Sequence, residues 1–363
     1  MTSRGTVVRR APGKLFVAGE YAVVDPGNTA ILVAVDRYIT VTVSHTDFAG
    51  VVISSDLFAQ PVRRQWRDGR LSTGGEEAAH VVAAIETVGE LLAERGLAVP
   101  ALSVSVTSTL HEAGRKYGLG SSGAVTVATV AAVASYCGLE LSREARLRLA
   151  LLAGARVDPT GSGGDLAAAA FGGWIAYRAP DRGEVLALAR SRGVEAALAA
   201  CWPGFSVRRL PPPSGLRLEV GWTGSPASTT SLVSGLHRRA WRGSASHRAF
   251  VDRTHDVVRA SVDALETGDG PGLLRQIRRA RQELARLDDE VGLGIFTPQL
   301  RALCAAAENA GGAAKPSGAG GGDCGIALLD AEAAHDLSLL RQRWAAAGVL
   351  PLPVRPAMER NEE

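Results

Sequence analysis

Lys116-Tyr117-Gly118-Leu119-Gly120-Ser121-Ser122-Gly123, followed at once by the Ala-, Val- and Thr-rich run Ala124–Cys137, is the stretch from which the rest of the chain is read. Glycine lets a backbone turn sharply and come close to a ligand. Ser121 or Ser122 is placed to cap the run and Gly138 to stop it, so the pattern predicts a helix from the serines to Cys137. The start of such a helix carries unpaired N–H groups and about half a positive charge. A glycine-rich loop delivered to a helix start is an anion site, and phosphate is the usual anion. Without a ligand, the same residues are an ordinary loop capping a buried helix.

Lysine usage sharpens the reading. Of the 40 basic residues only Lys14, Lys116 and Lys315 are lysine. Each lies in or beside a glycine-rich segment: Pro12-Gly13-Lys14, Lys116–Gly123 and Lys315-Pro316-Ser317-Gly318-Ala319-Gly320-Gly321-Gly322. Where composition so favours arginine, a retained lysine points to a site that needs a compact point charge.

Composition excludes several classes. A chain of 363 residues allows one large or two medium domains, and 46% apolar content supports a full core. The net charge of +3 is small, with no dominant basic block, so no nucleic-acid partner is expected. Cys137, Cys201, Cys304 and Cys324 have no metal-ligand spacing and read as reduced, cytoplasmic thiols. Met1–Arg10 has charge but no apolar stretch, so no signal peptide is expected, and no run is apolar enough to span a bilayer.

Along the chain, strands are expected at Thr6–Arg10, Ala30–Val35, Tyr38–Val43, Val51–Ser54, Leu102–Thr107 and Trp174–Tyr177. Helices are expected at His80–Arg95, from Ser142 through Leu152, and at Leu166–Phe171 after the turn Asp158–Asp165. Pro203 and Pro211–Pro213 make Trp202–Gly215 the candidate inter-domain linker. Beyond it come a strand at Leu216–Trp222 and a helix within Ser225–Leu236. Helices are then expected around Ala245–Glu266, Pro271–Asp289 and Pro298–Ala310. The Arg-rich face of Arg275–Arg286 reads as a solvated face before a substrate-binding one. The third glycine-rich loop follows, then a strand at Cys324–Leu329, a helix at Ala331–Ala347 and a strand at Val349–Val354. The fold class is α+β.

Gly118-x-Gly120-x-x-Gly123 also fits the dinucleotide fingerprint, but that motif follows its strand directly and its acidic residue ends a second strand. Here about ten residues separate strand from loop, and Glu140 sits in a turn before a helix. The pattern GxxxxGK[ST] is absent from the sequence, which excludes a P-loop NTPase.

With Pro12–Val24, Gly118–Gly123 and Lys315–Gly325 in place, the sequence resembles the GHMP kinase family over nearly its whole length. Gly19-Glu20-Tyr21, Gly161–Asp165 and Lys315–Ala327 make it most similar to the bacterial branch that acts on 5-phosphomevalonate. The resemblance implies two domains, 1–205 and 206–363: an N-terminal one like domain 2 of ribosomal protein S5 and a ferredoxin-like C-terminal one. ATP, Mg²⁺ and a small-molecule acceptor, 5-phosphomevalonate, would meet in the cleft between them, in a monomer or homodimer with no membrane partner.

The resemblance also implies roles. Lys14 and Asp165 would be catalytic, with Asp165 acting as a base or holding Lys14. Lys116, Gly118, Leu119, Gly120, Ser121, Ser122 and Gly123 would hold ATP, and Ser122 would meet the metal. Lys14, Tyr21, Lys116, Ser162, Gly163, Thr230, Ser317, Gly318, Ala319 and Gly320 would face the acceptor. Other family members supply a glutamate to the metal from the helix before Asp165, where this chain has Gly154 and Ala155; Asp158 is the nearest substitute. A decarboxylase acting on diphosphomevalonate, a mevalonate kinase and a catalytically dead ligand sensor share the same outline.

Overall fold

In the computed structural model, residues 5–72, 74–75, 78–112, 114–225 and 241–357 are described. The first unit is built on β1 (Val7–Ala18), β2 (Thr29–Ser44), β3 (Val51–Ser55), β4 (Val62–Arg64), β7 (Leu102–Ser108), β10 (Trp174–Arg178) and β11 (Ser206–Leu210). The order across this sheet is β11-β10-β2-β7-β3-β4, with β1 paired to β2. Two small hairpins, β5 (Trp66–Arg67) with β6 (Arg70–Leu71) and β8 (His111–Glu112) with β9 (Arg115–Lys116), stand apart from it.

The two strands expected at Ala30–Val35 and Tyr38–Val43 are one strand. Residues 30–35 are buried throughout, whereas 39–44 alternate between buried and half-buried. Opposite Pro12 and Gly13 the register jumps from Tyr38 to Val35, a bulge that skips two residues and interrupts the hydrophobic pattern. The same long pairing extends β1 through Ala18, past the expected end at Arg10.

Of the helices Ala79–Glu94, Ser121–Tyr136, Arg143–Val157 and Gly164–Phe171, the second and fourth pack on this sheet and the other two pack against them. Ser142 caps the third of these, accepting from Ala145 N at 3.1 Å. Helices Arg182–Arg192 and Val194–Ala199, for which no expectation was formed, bring the chain back to β11. The expected linker is therefore in part a strand: Ser206–Leu210 pairs antiparallel with β10, so the first sheet continues beyond residue 205. The prolines at 211–213 follow that strand and stop it.

The second unit is a four-stranded antiparallel sheet, β13-β14-β12-β15, from β12 (Leu216–Trp222), β13 (Ala313–Pro316), β14 (Cys324–Asp330) and β15 (Leu350–Pro351). Helix Ala245–Thr267 packs on Gly270–Val291 and reaches the first sheet, while Gly270–Val291, Pro298–Glu308 and Ala334–Ala346 pack on the second sheet. The last starts three residues later than expected, and β15 keeps only two of the expected six strand residues. The chain has the expected α+β, two-unit fold. Strand alternation explains how the units join. On β14, Cys324, Ile326 and Leu328 face the core shared with the first unit, while Ala327 and Leu329 face Leu300, Leu303, Leu340 and Trp344. The end of the chain returns to the first unit, where Ala357 N donates to Ala34 O at 2.8 Å.

Candidate active site

Strand β1 runs directly beneath the first glycine-rich loop. Lys14 N donates to Leu119 O at 2.8 Å, and a Cβ on Gly13 would lie 2.9 Å from that same oxygen, so only glycine permits the approach. Gly118 and Gly120 both have left-handed backbones (φ 79° and 76°). Gly120, not a serine, is the N-cap of helix Ser121–Tyr136, and no side chain caps it. The left-handed turn has already swung the chain into the helix, which leaves Ser121 and Ser122 in its first turn facing a cleft of about 360 Å³ between the units.

Lys14 Nζ donates to Gly118 O at 3.2 Å and stands 5.5 Å from the Phe16 ring centre. It makes no ion pair with Asp165, so of the two roles expected for that carboxylate, base or support for Lys14, the second has no direct contact behind it here. Asp165 instead accepts from Leu166 N at 3.0 Å and from Ser122 Oγ at 3.3 Å. Gly123 is what lets Asp165 come so close: a Cβ there would meet its carboxyl carbon at 2.6 Å. Gly163, at φ 75°, starts the helix that carries Asp165.

The turn before Asp165 is self-supporting. Asp158 Oδ1 accepts from Thr160 N, Thr160 Oγ1 and Gly161 N at 2.9, 2.6 and 3.2 Å. Ser162 O accepts from the Tyr177 hydroxyl at 2.8 Å, and burial pushes that phenol's pKa up, keeping it a donor.

The third glycine-rich segment sits differently from its expected role. Lys315 is not in a loop but in β13, fully buried and ion-paired with Glu20. Ser317 is turned away from any acceptor, because its hydroxyl accepts from Phe16 N at 2.8 Å and donates to Phe16 O at 3.0 Å. Gly320 packs on Ile295, within 2.5 Å of a would-be Cβ. Gly318 and Ala319 do line the cleft, and the Tyr21 hydroxyl donates to Ala319 O.

Of the expected site residues, Leu119, Gly123, Ser317 and Gly320 do not line the cleft, and Thr230 lies outside the described residues; the others all line it. Sequence reasoning gave no role to Glu20, Phe16 or Asp323, which line it too. Asp323 is at φ 50°, and a Cβ on Gly118 would strike its carboxylate at 2.6 Å or less. The signal for it was its place right after three glycines.

Behind Asp165 a second recess of about 330 Å³ is lined by His80, Ser122, Gly154, Ala155, Asp158 and Arg182, among others. A Cβ on Gly154 would lie 2.9 Å from Leu166 Cδ1, so a glutamate there would have to displace that leucine. Asp158, the suggested substitute, has Oδ1 committed to its own turn. Among the described residues no group of three or more His, Cys, Asp and Glu could hold a metal ion. The donors that fit a magnesium ion are the Ser122 hydroxyl and the Asp165 carboxylate, hard oxygens 3.3 Å apart at a helix start.

Residues 79–173 match the family model described as GHMP kinases N terminal domain, and residues 261–345 that of GHMP kinases C terminal. The chain is 70% identical to phosphomevalonate kinase of Streptomyces sp. (strain CL190), over 99% of each chain. Among solved structures it resembles a Lin0012 protein from Listeria innocua (34% identity, TM-score 0.91, 98% of each chain). It also resembles Streptococcus pneumoniae phosphomevalonate kinase in complex with phosphomevalonate and AMPPNP (29% identity, TM-score 0.86, 96% of this chain and 99% of that one).

Proposed function

The chain belongs to the GHMP kinase family, and from that premise we propose that it is a phosphomevalonate kinase. It transfers the γ-phosphoryl group of ATP onto the phosphate of 5-phosphomevalonate, giving ADP and 5-diphosphomevalonate. The observation that carries the reading is the convergence of Lys14, Lys116 and the start of helix Ser121–Tyr136 on one cleft between the two units.

Both substrates are polyanions, and transfer brings their phosphates together. Catalysis of this kind is positioning and charge neutralisation more than covalent chemistry. The backbone of Gly118–Ser122 receives the ATP phosphates at the helix start. Lys14, held by Gly118 O beside that loop, faces the transferred group, and Lys116 supplies a second cation at the cleft. Gly318 and Ala319 close the acceptor side from the second unit. A phosphate acceptor, with a second pKa of about 6, is largely a dianion at neutral pH and brings its own nucleophilic oxygen. Asp165 therefore acts with Ser122 rather than as a base: it orients the hydroxyl and, with it, would hold magnesium. Bound there, that ion would supply positive charge to offset the negative charge of the reacting phosphates.

No described helix is long and apolar enough to cross a membrane. None of the four cysteines forms a disulfide, which fits a cytoplasmic enzyme.

The test is an ADP-release assay run on mevalonate, 5-phosphomevalonate and 5-diphosphomevalonate, with carbon dioxide followed in parallel. ADP release is expected with phosphomevalonate, little with mevalonate, and no carbon dioxide from any of the three. Stoichiometric carbon dioxide from diphosphomevalonate would make the chain a decarboxylase instead.

A further inference from the structure

Lys315 is the one lysine that does not reach the cleft, and it is fully buried. Its ammonium is paired with the Glu20 carboxylate, whose side chain is 3% exposed. Taking two charges out of water costs more than their attraction commonly returns, so the buried pair is weak evidence for stability and its role is to be sought in the geometry it holds.

The geometry here is particular. Lys315 Nζ donates to Pro316 O at 2.7 Å as well as to Glu20, and Gly318 N approaches the same Glu20 oxygen at 3.4 Å. The pair thus grips both ends of the turn 316–318. Ser317, between them, holds the backbone of Phe16, two residues after Lys14 on the same strand. Beyond the turn, Ala319 O takes the Tyr21 hydroxyl. A Cβ on Gly318 would lie 3.9 Å from Lys14 Nζ, which places this backbone beside the catalytic ammonium. Glu20 also lines a cleft that receives anions, where an unpaired carboxylate would repel them.

We propose that Glu20 and Lys315 are positioning residues for phosphoryl transfer. Their buried ion pair fixes the Gly318–Ala319 backbone of the second unit against Lys14 of the first and cancels a carboxylate in the wall of an anion site. This rests on the phosphomevalonate kinase reading.

The test uses the full chain with Lys315→Met and with the double substitution Glu20→Gln/Lys315→Met. The single variant leaves a buried carboxylate unpaired and is expected to melt early; the double variant buries a neutral pair of similar volume and keeps the fold measurable. In the double variant kcat is expected to fall by about 10²-fold, the scale of a small misplacement of reacting groups. KM for ATP should stay at the parent value, because the nucleotide loop belongs to the first unit. Amide hydrogen exchange at 317–319 should quicken while exchange in helix Ser121–Tyr136 stays as it was. Parental kcat in the double variant, or a KM for ATP that rises in step with the loss of kcat, would overturn the proposal. So would unchanged exchange at 317–319. The exchange arm needs no turnover, so a parent that fails to release ADP with phosphomevalonate refutes the activity reading without being mistaken for a failure of this inference.

Discussion

The two loops Lys116–Gly123 and Lys315–Gly322 look like variants of one device: a lysine, then glycines and a serine. In the fold they are opposites. Lys116 is exposed at the cleft and its loop ends in a helix start, with Ser122 in contact with Asp165. Lys315 is buried in a strand, its loop joins β13 to β14, and its serine binds backbone. The first loop turns its own charge and its helix start toward the cleft. The second spends its charge inward, on Glu20, so that its backbone stands where it must. Glycine is common to both because both turns carry left-handed backbones: Gly118 and Gly120 in one, Gly318, Gly320 and Gly321 in the other.

The sharpest way to break this comparison is to remove the cation that stands between the loops. Lys14→Met should cut kcat by about 10²–10³-fold, the usual cost of losing one preorganised group at a developing charge. The fold should survive, since Lys14 makes a single side-chain hydrogen bond, to Gly118 O. A kcat close to the parent's would remove Lys14 from the chemistry and leave the first loop to act alone.

Next in size is the Ser122–Asp165 contact. Asp165→Asn should lose a roughly constant factor of activity from pH 8 down to pH 6, and Ser122→Ala should raise the magnesium concentration needed for half-maximal rate. A base would behave otherwise: without it, activity would drop steeply as the acceptor phosphate takes up its proton near pH 6. Steepening of that kind in Asp165→Asn would make Asp165 a base after all, and parental magnesium dependence in Ser122→Ala would show that the contact between the two residues is structural and holds no metal.

These outcomes bear on how much could be read beforehand. The first loop's place at a helix start was legible because glycines directly before a helical run are a local signal. Its cap was misread because a serine and a left-handed glycine signal the same event, and only backbone angles show which one acts. Ser317 and Lys315 were illegible for another reason: sequence gives residue type, whereas their roles depend on Phe16 and Glu20, some three hundred positions away. The bulge opposite Pro12 and Gly13 split one strand into two apparent ones, and the prolines at 211–213 hid the short strand before them. Apart from the cap, long-range pairing, which leaves no local mark, decided the structure in each case.

A smaller effect separates the two lysines by salt. Lys116 is exposed, so its attraction for the anionic substrates is screened over about 10 Å at 0.1 M ionic strength. Lys116→Ala should raise KM at low salt, with the difference from the parent shrinking as salt is added. The Glu20→Gln/Lys315→Met variant acts through geometry inside the protein, so its ratio to the parent should hold at every salt concentration. A salt-independent Lys116→Ala defect would mean that Lys116, too, is fixed in place.

The smallest expected effect reads only the first loop's side. His80 lines the recess behind Asp165, and its Nδ1 is buried with no hydrogen-bond partner. Burial is the main cause holding its pKa below the ordinary 6.5; Asp165 and Asp158 push it up and Lys116 pushes it down. A histidine whose folded pKa is lowered takes up its proton more readily in the unfolded chain. Its contribution to stability is therefore present above pH 6.5 and is lost as pH falls from there toward the lowered folded value. His80→Gln cannot take the proton, so its melting temperature should fall less than the parent's between pH 7 and pH 5. The Glu20→Gln/Lys315→Met variant keeps His80 and should keep the parent's slope. If His80→Gln loses melting temperature as steeply as the parent on acidification, the recess is wet enough to solvate an imidazolium, and the acid sensitivity belongs to groups elsewhere in the fold.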